Sequence, residues 1–189
     1  LDLKGSEYYS IYLRDIDTNK MLTETIKDTS GSITFSLDDK FIFYSKLDKF
    51  HRPRQIFRHK IGTPVKNDKL IFEETSDVFT VGISLSSDEK YFFIKTSDHN
   101  TSEEYFFSAN EENPNPRLIK KRKKGVIYSV NSWNGYFYNH TNEDAEDFKI
   151  DRCKDLIKQD WKPYIPAKNE VLIGGLTFLK NWILRSEVS

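Results

Sequence analysis

Apolar residues along this chain gather in short clusters, each bounded by polar breakers. Ile33–Phe35, Phe41–Ser45, Gln55–His59, Leu70–Phe72, Tyr91–Lys95 and Tyr105–Ser108 are rich in β-branched and aromatic side chains, with Asp, Asn, Gly and Ser between them. Such side chains suit a pleated, half-buried surface, and the breakers suit turns, so the pattern predicts strands. Glu7–Asp15 and Lys20–Ile26 read as two further strands near the start. No long segment keeps the apolar period of a helix. The best helical candidate, Asp151–Lys158, is short and runs on to Trp161 and Pro163. The expected fold class is all-β.

The strands repeat. Ile33-Thr34-Phe35-Ser36-Leu37-Asp38-Asp39-Lys40-Phe41-Ile42-Phe43 returns 50 residues later as Ile83-Ser84-Leu85-Ser86-Ser87-Asp88-Glu89-Lys90-Tyr91-Phe92-Phe93. Weaker copies follow at Val130–Tyr138 and Leu176–Leu184. Each copy is a strand, a polar turn and a second strand, and the first two copies continue into two more strand-like stretches. A four-strand unit of roughly 45 to 50 residues is the size of a propeller blade. The expected architecture is therefore an incomplete β-propeller of about three whole four-stranded antiparallel blades. Its divisions are a half-blade at 1–28, blades at 29–78, 79–124 and 125–168, and a half-blade at 169–189. A β-sandwich with similar hairpins is the alternative, but sandwich strands need not recur in groups of four. Such a set of blades cannot close fully, so the expectation is a piece of a longer protein that self-associates through exposed blade edges.

Charge and composition narrow the function classes. The 29 basic and 29 acidic residues cancel, so no whole-chain field favours nucleic acid or an anionic membrane. The single cysteine, Cys153, excludes an intrachain disulfide and points to a reducing compartment. No apolar run approaches the roughly 20 residues that cross a bilayer, and no basic-then-apolar leader opens the chain. The expectation is a cytoplasmic chain with neither nucleic-acid nor membrane partners.

Motifs that could carry chemistry are few. There is no Gly-x-Ser-x-Gly elbow of an α/β-hydrolase and no phosphate-cradling Gly-x-x-x-x-Gly-Lys. His51, His59, His99 and His140 show no metal-ligand spacing, and Cys153 has no cysteine partner, so the histidines read as satisfied or surface groups. Carboxylate pairs stand at Asp38-Asp39, Glu73-Glu74, Glu103-Glu104 and Glu111-Glu112. Adjacent strand residues point to opposite faces, so these pairs read as turn or rim groups rather than acid–base couples. Asp38 and Asp88, in turns between strands, are placed on a rim. The run Lys120-Lys121-Arg122-Lys123-Lys124 lacks interleaved aromatics and reads as a solvated loop between blades. Gly174-Gly175 reads as a bulge or a close-packing point. Asn100-Thr101-Ser102 and Asn139-His140-Thr141 match the glycosylation sequon, left unmodified in a cytoplasmic chain.

Three stretches together resemble the propeller of the oligopeptidase B (protease II) family, within the prolyl oligopeptidase group of serine peptidases. Arg58-His59-Lys60-Ile61-Gly62-Thr63-Pro64 with Asp68-Lys69-Leu70-Ile71-Phe72-Glu73-Glu74 is the most specific. Asp2-Leu3-Lys4-Gly5-Ser6-Glu7-Tyr8-Tyr9 with Asp15 and Thr18 is similar to an earlier blade, and Arg122–Tyr128 followed by Phe137-Tyr138 to a later one. The resemblance implies a two-domain parent that cleaves short peptides after Arg or Lys with a Ser-Asp-His triad. A seven-bladed propeller covers the hydrolase domain, and this chain is similar to part of that propeller alone. It implies no catalytic, cofactor-binding or metal-binding residue at any position here, and spacing assigns no substrate-binding residue. The partners it implies are the catalytic domain and, for the parent, short basic peptides. A non-enzymatic propeller acting as an interaction scaffold is the alternative, though Trp-Asp and kelch-type double-glycine signatures do not recur.

Overall fold

The structure, a computed structural model, describes residues 1–2 and 5–189, so Leu3 and Lys4 of the first family-like stretch lie outside the described residues. The first sheet is five-stranded and antiparallel, in chain order: β1 (Tyr9–Arg14), β2 (Met21–Phe35), β3 (Phe41–Leu47), β4 (Pro53–Lys60) and β5 (Lys69–Glu73). The second has four strands, β6 (Thr80–Leu85), β7 (Tyr91–Ser97), β8 (Ser102–Ser108) and β9 (Arg117–Lys120), again in chain order. The third repeats this with β10 (Tyr128–Trp133), β11 (Tyr136–Thr141), β12 (Lys149–Cys153) and β13 (Lys162–Ile165). A hairpin, β14 (Leu172–Leu179) with β15 (Trp182–Val188), follows. The all-β expectation holds.

The turn of the repeat has a chemical reason. Ser36 Oγ donates to Asp38 Oδ1 (2.7 Å), and the Phe41 N–H donates back to Ser36 Oγ (3.0 Å). Fifty residues on, Ser86 Oγ donates to Asp88 Oδ1 (2.9 Å) and the Tyr91 N–H to Ser86 Oγ (3.0 Å). Asp39 and Glu89 occupy the left-handed region at φ 55° and 59°. The serine and aspartate side chains thus satisfy backbone groups that a tight reversal leaves unpaired. The third copy turns instead on Asn134-Gly135, both at positive φ, a pair that tolerates this backbone.

By contact density the chain divides into two compact units. One comprises residues 1–84 with 112–116, the other 85–111 with 117–189. In the first, Ile11, Ile26, Ile42 and Tyr44 form a buried cluster closed by Leu13, Phe57, Ile61 and Val65. Ser45 Oγ and Thr34 Oγ1 donate to the Val81 and Ile83 carbonyls, tying β6 to this unit (3.3 and 3.4 Å). In the second, Phe93, Phe106 and Ile119 from one sheet meet Tyr128, Val130, Phe137 and Cys153 from the next. On the far side of that next sheet, Tyr138 and Ile150 pack with Ile173 of β14. Its strands are therefore apolar on both faces, as expected of sheets covered on both sides.

The short helical candidate Asp151–Lys158 forms no helix, in keeping with the all-β expectation: Lys149–Cys153 is strand β12, because Ile150 and Cys153 bury into the two different clusters on its opposite faces. Asp155 then caps a turn, accepting from the Ile157 and Lys158 N–H groups (2.8 and 3.2 Å). The boundary drawn between residues 28 and 29 falls inside one continuous strand. β2 pairs with β1 through Met21–Thr29 and with β3 through Thr29–Phe35, and Thr29 belongs to both ladders. The strand passes from one partner to the other over Asp28 and Gly31, both at positive φ. A Cβ on Gly31 would stand 2.9 Å from the Tyr9 ring. Gly174-Gly175 does sit at a register shift of β14, and a Cβ on Gly174 would collide with Ser186 Oγ.

The double-sided burial gives a test. Ile150→Ala should cost about 3 kcal/mol in urea denaturation, since it removes a fully buried side chain and leaves a cavity. Ile157→Ala, at a residue 66% exposed, should change stability by less than about 0.5 kcal/mol.

Candidate functional site

Among the described residues, buried polar side chains include two separate clasps, one in each unit. The first joins the two halves of the most specific family-like stretch. His59, at the end of β4, is fully buried, and its Nδ1 donates to Asp68 Oδ1 at 2.6 Å. The other Asp68 oxygen accepts from the Tyr44 hydroxyl at 2.9 Å. His59 Nε2 has no hydrogen-bond partner and lies 3.9 Å from Glu24 Oε1, which accepts the Gly62 N–H at 2.7 Å. Burial, then the Asp68 carboxylate, push the Tyr44 phenol well above its ordinary range. Gly62-Thr63-Pro64 and the 3-10 turn Val65–Asn67 fold the chain back, bringing residues nine apart in sequence into contact.

The second clasp lies on β8, where Glu103 and Glu104 are both buried. Their burial corrects the turn or rim placement expected of the Glu103-Glu104 pair. Burial acts to raise the Glu103 carboxyl, but hydrogen bonds from Arg122 and Tyr105 outweigh it and hold the group below its usual range. The Arg122 Nη2 and N–H donors lie at 3.0 and 2.8 Å, and the Tyr105 hydroxyl at 2.7 Å. Glu104 faces a drier environment. It accepts the Val130 N–H of the neighbouring sheet (2.8 Å), with Lys95 Nζ 4.0 Å away. Burial dominates and pushes its carboxyl up to about 7. Its own N–H donates to the Tyr128 hydroxyl (2.8 Å), which donates onward to the Lys120 carbonyl (2.5 Å).

The basic run is only partly a solvated loop: Lys120 pairs with Glu143, Arg122 with Glu103, and Lys123 lies 4.0 Å from Glu143. Asp88 is less a rim group than Asp38, since its Oδ2 accepts from Ser132 Oγ (2.9 Å) on β10. Glu74 is buried and accepts the Ser76 N–H (2.8 Å). His51 and His99 are exposed, and His140 Nε2 bonds the Ile173 carbonyl (2.7 Å). Burial raises the Cys153 thiol to about 11, which keeps it protonated and unreactive. Asn139 of the second sequon is buried.

Chemically, both clasps hold strands together. Among the described residues, neither places a serine, threonine or cysteine nucleophile against its carboxylate or imidazole, and His59, Glu103 and Glu104 are buried. Metal-ligand spacing does not reveal the His59–Asp68 pairing, since the partner is a single carboxylate nine residues away. A histidine and an aspartate on either side of a Gly-Thr-Pro reversal was the available signal.

Glu104 gives a pH test. Its folded-state value is raised, so between about 4.5 and about 7 the native state holds a proton that the unfolded state has released. Stability therefore falls as pH rises through that window and stays reduced above it. The stability of Glu104→Gln minus that of the parent should grow by a few kcal/mol from pH 4.5 to 7.5 in urea titrations. A difference constant with pH would refute the assignment.

Comparison with known proteins supplies the family. The model of the prolyl oligopeptidase N-terminal β-propeller domain matches residues 1–189. Protease 2 of Moraxella lacunata is 34% identical over 185 residues, covering 90% of this chain and 27% of that protein. Dipeptidyl aminopeptidase BI of Pseudoxanthomonas mexicana is 25% identical over 190 residues, covering 98% of this chain and 26% of that protein. The structure superposes on oligopeptidase B from Leishmania major with a TM-score of 0.93 at 21% identity, over 98% of this chain and 27% of that one. Oligopeptidase B from Trypanosoma brucei gives 0.87 at 24% identity, over 96% and 26%. The chain thus spans about a quarter of the length of the relatives it matches.

Proposed function

The chain belongs to the prolyl oligopeptidase family through its N-terminal β-propeller domain, and on that premise we propose that it is part of the lid and substrate filter of an oligopeptidase B-like serine peptidase. The observation that carries this reading is the match of the propeller domain along all 189 residues, joined to 34% identity with a Protease 2. The whole protein would hydrolyse short peptides after Arg or Lys in the cytoplasm, with the catalytic groups in a hydrolase domain outside these residues. A shell of rigid sheets over such a domain excludes folded proteins and admits flexible peptides, and opening of the shell gates entry. Rigidity is what the clasps contribute: the Glu104–Val130 bond joins adjacent sheets, and the His59–Asp68–Tyr44 chain fixes the loop after β4. Acidic groups on an inner face would draw basic peptides by steering. Sheet-edge strands such as β5, β9 and β13 offer a route to self-association of the isolated chain.

The test uses the continuous reading frame that contains these residues. Its product should cleave an Arg-containing chromogenic peptide in a reaction stopped by a serine-directed inhibitor, while the 189 residues alone leave that peptide intact. A frame without a Gly-x-Ser-x-Gly hydrolase domain, or hydrolysis by the 189 residues alone, would overturn the reading. The first of these outcomes would favour the interaction scaffold.

A further inference from the structure

Beside the end of β12, within the second unit, lies a cavity of about 450 Å³ that neither clasp uses. Its lining brings together Arg152, Lys154, Lys158 and Lys162 around the Tyr136 ring, with Asp155 and Asp160 as the acidic members. The two carboxylates are already engaged. Asp155 caps the turn through the Ile157 and Lys158 N–H groups, and Asp160 pairs with Lys162 at 3.1 Å. Arg152, Lys154 and Lys158 make no ion pair among the described residues.

Arg152 is also held in place before any ligand arrives. Its guanidinium lies 4.6 Å from the Tyr136 ring centroid and 4.6 Å from that of Tyr164. Register explains this: Arg152 stands opposite Tyr138 on one side and Lys162 on the other, so rings from β11 and β13 converge on it. Ring contacts use the faces of a guanidinium and leave in-plane N–H groups for an oxyanion, the bidentate geometry in which arginine exceeds lysine. Lys154 Nζ lies over the same Tyr136 ring at 5.2 Å.

We propose that the cavity over Arg152 binds a small polyphosphorylated anion, with Arg152 as its fixed contact and Lys154 and Lys158 as mobile counter-charges. The volume falls in the range of small-ligand pockets and exceeds what one phosphate fills, which favours a ligand carrying several phosphates. This site does not rest on the peptidase reading, because its argument uses only the cavity lining and the contacts of Arg152.

Calorimetric titration of the purified chain at constant ionic strength tests it, with inorganic phosphate, pyrophosphate and tripolyphosphate as probes. Saturable binding that tightens from the first probe to the last is expected. Arg152→Gln should weaken tripolyphosphate binding about tenfold, the order of magnitude for losing a charge-assisted bidentate contact. Should that variant fold poorly, Lys158→Glu at an exposed position still reports, with a several-fold loss expected. Lys66→Glu makes the same change in net charge outside the cavity lining and should leave affinity unchanged. The proposal is overturned if no probe binds saturably, or if Lys158→Glu and Lys66→Glu weaken binding equally. Binding of polyglutamate alone, with no phosphate probe bound, would overturn it in favour of an acidic peptide.

Discussion

A sheet that is apolar on both faces cannot stand alone in water, and this constraint governs the second unit. β12 buries Ile150 into one cluster and Cys153 into another, so the sheet that carries it must be covered on both sides. The same demand appears along β7, where Phe93 and its neighbour Phe92 are both buried. Stacking sheet on sheet meets that demand and removes large apolar areas from water. It also seals whatever polar groups lie between the layers. Glu104 is one of them, and its elevated carboxyl records the cost of that sealing.

Glu103 and Glu104 show how finely placement divides two identical side chains. They are consecutive on one strand and both buried, yet one is held ionised by Arg122 and the other is driven towards its neutral form. The difference lies in the donors each meets. Glu103 receives a guanidinium, an amide and a phenol, whereas Glu104 receives one amide and a lysine at the limit of ion-pair distance. Buried ionisable groups of this kind add little net stability but fix which strand lies against which.

The strand pattern and the repeat were legible in the sequence because both are local. Alternation, β-branched content and the Ser-x-Asp turn require only a few consecutive residues, and the turn bonds of Ser36 recur at Ser86. What escaped was non-local. Strand Lys149–Cys153 was not separable from the candidate Asp151–Lys158 because its two apolar positions serve different layers. Glu103-Glu104 looked solvated because their partners, Arg122 and Val130, lie 19 and 26 residues away. His59 could be matched to Asp68 only once the Gly-Thr-Pro reversal was seen to close.

The continuity of β2 has a mechanical meaning. Its first part is hydrogen-bonded to β1 and its last to β3, with Thr29 hydrogen-bonded into both ladders and its hydroxyl on the Tyr9 carbonyl. Tension applied at the β1 hairpin is therefore carried into the body of the sheet along covalent bonds, not across a layer of side chains that could slide. Packed layers yield in shear, but a backbone does not stretch. The strand acts as a tendon, and Gly31 is the point at which that tendon bends.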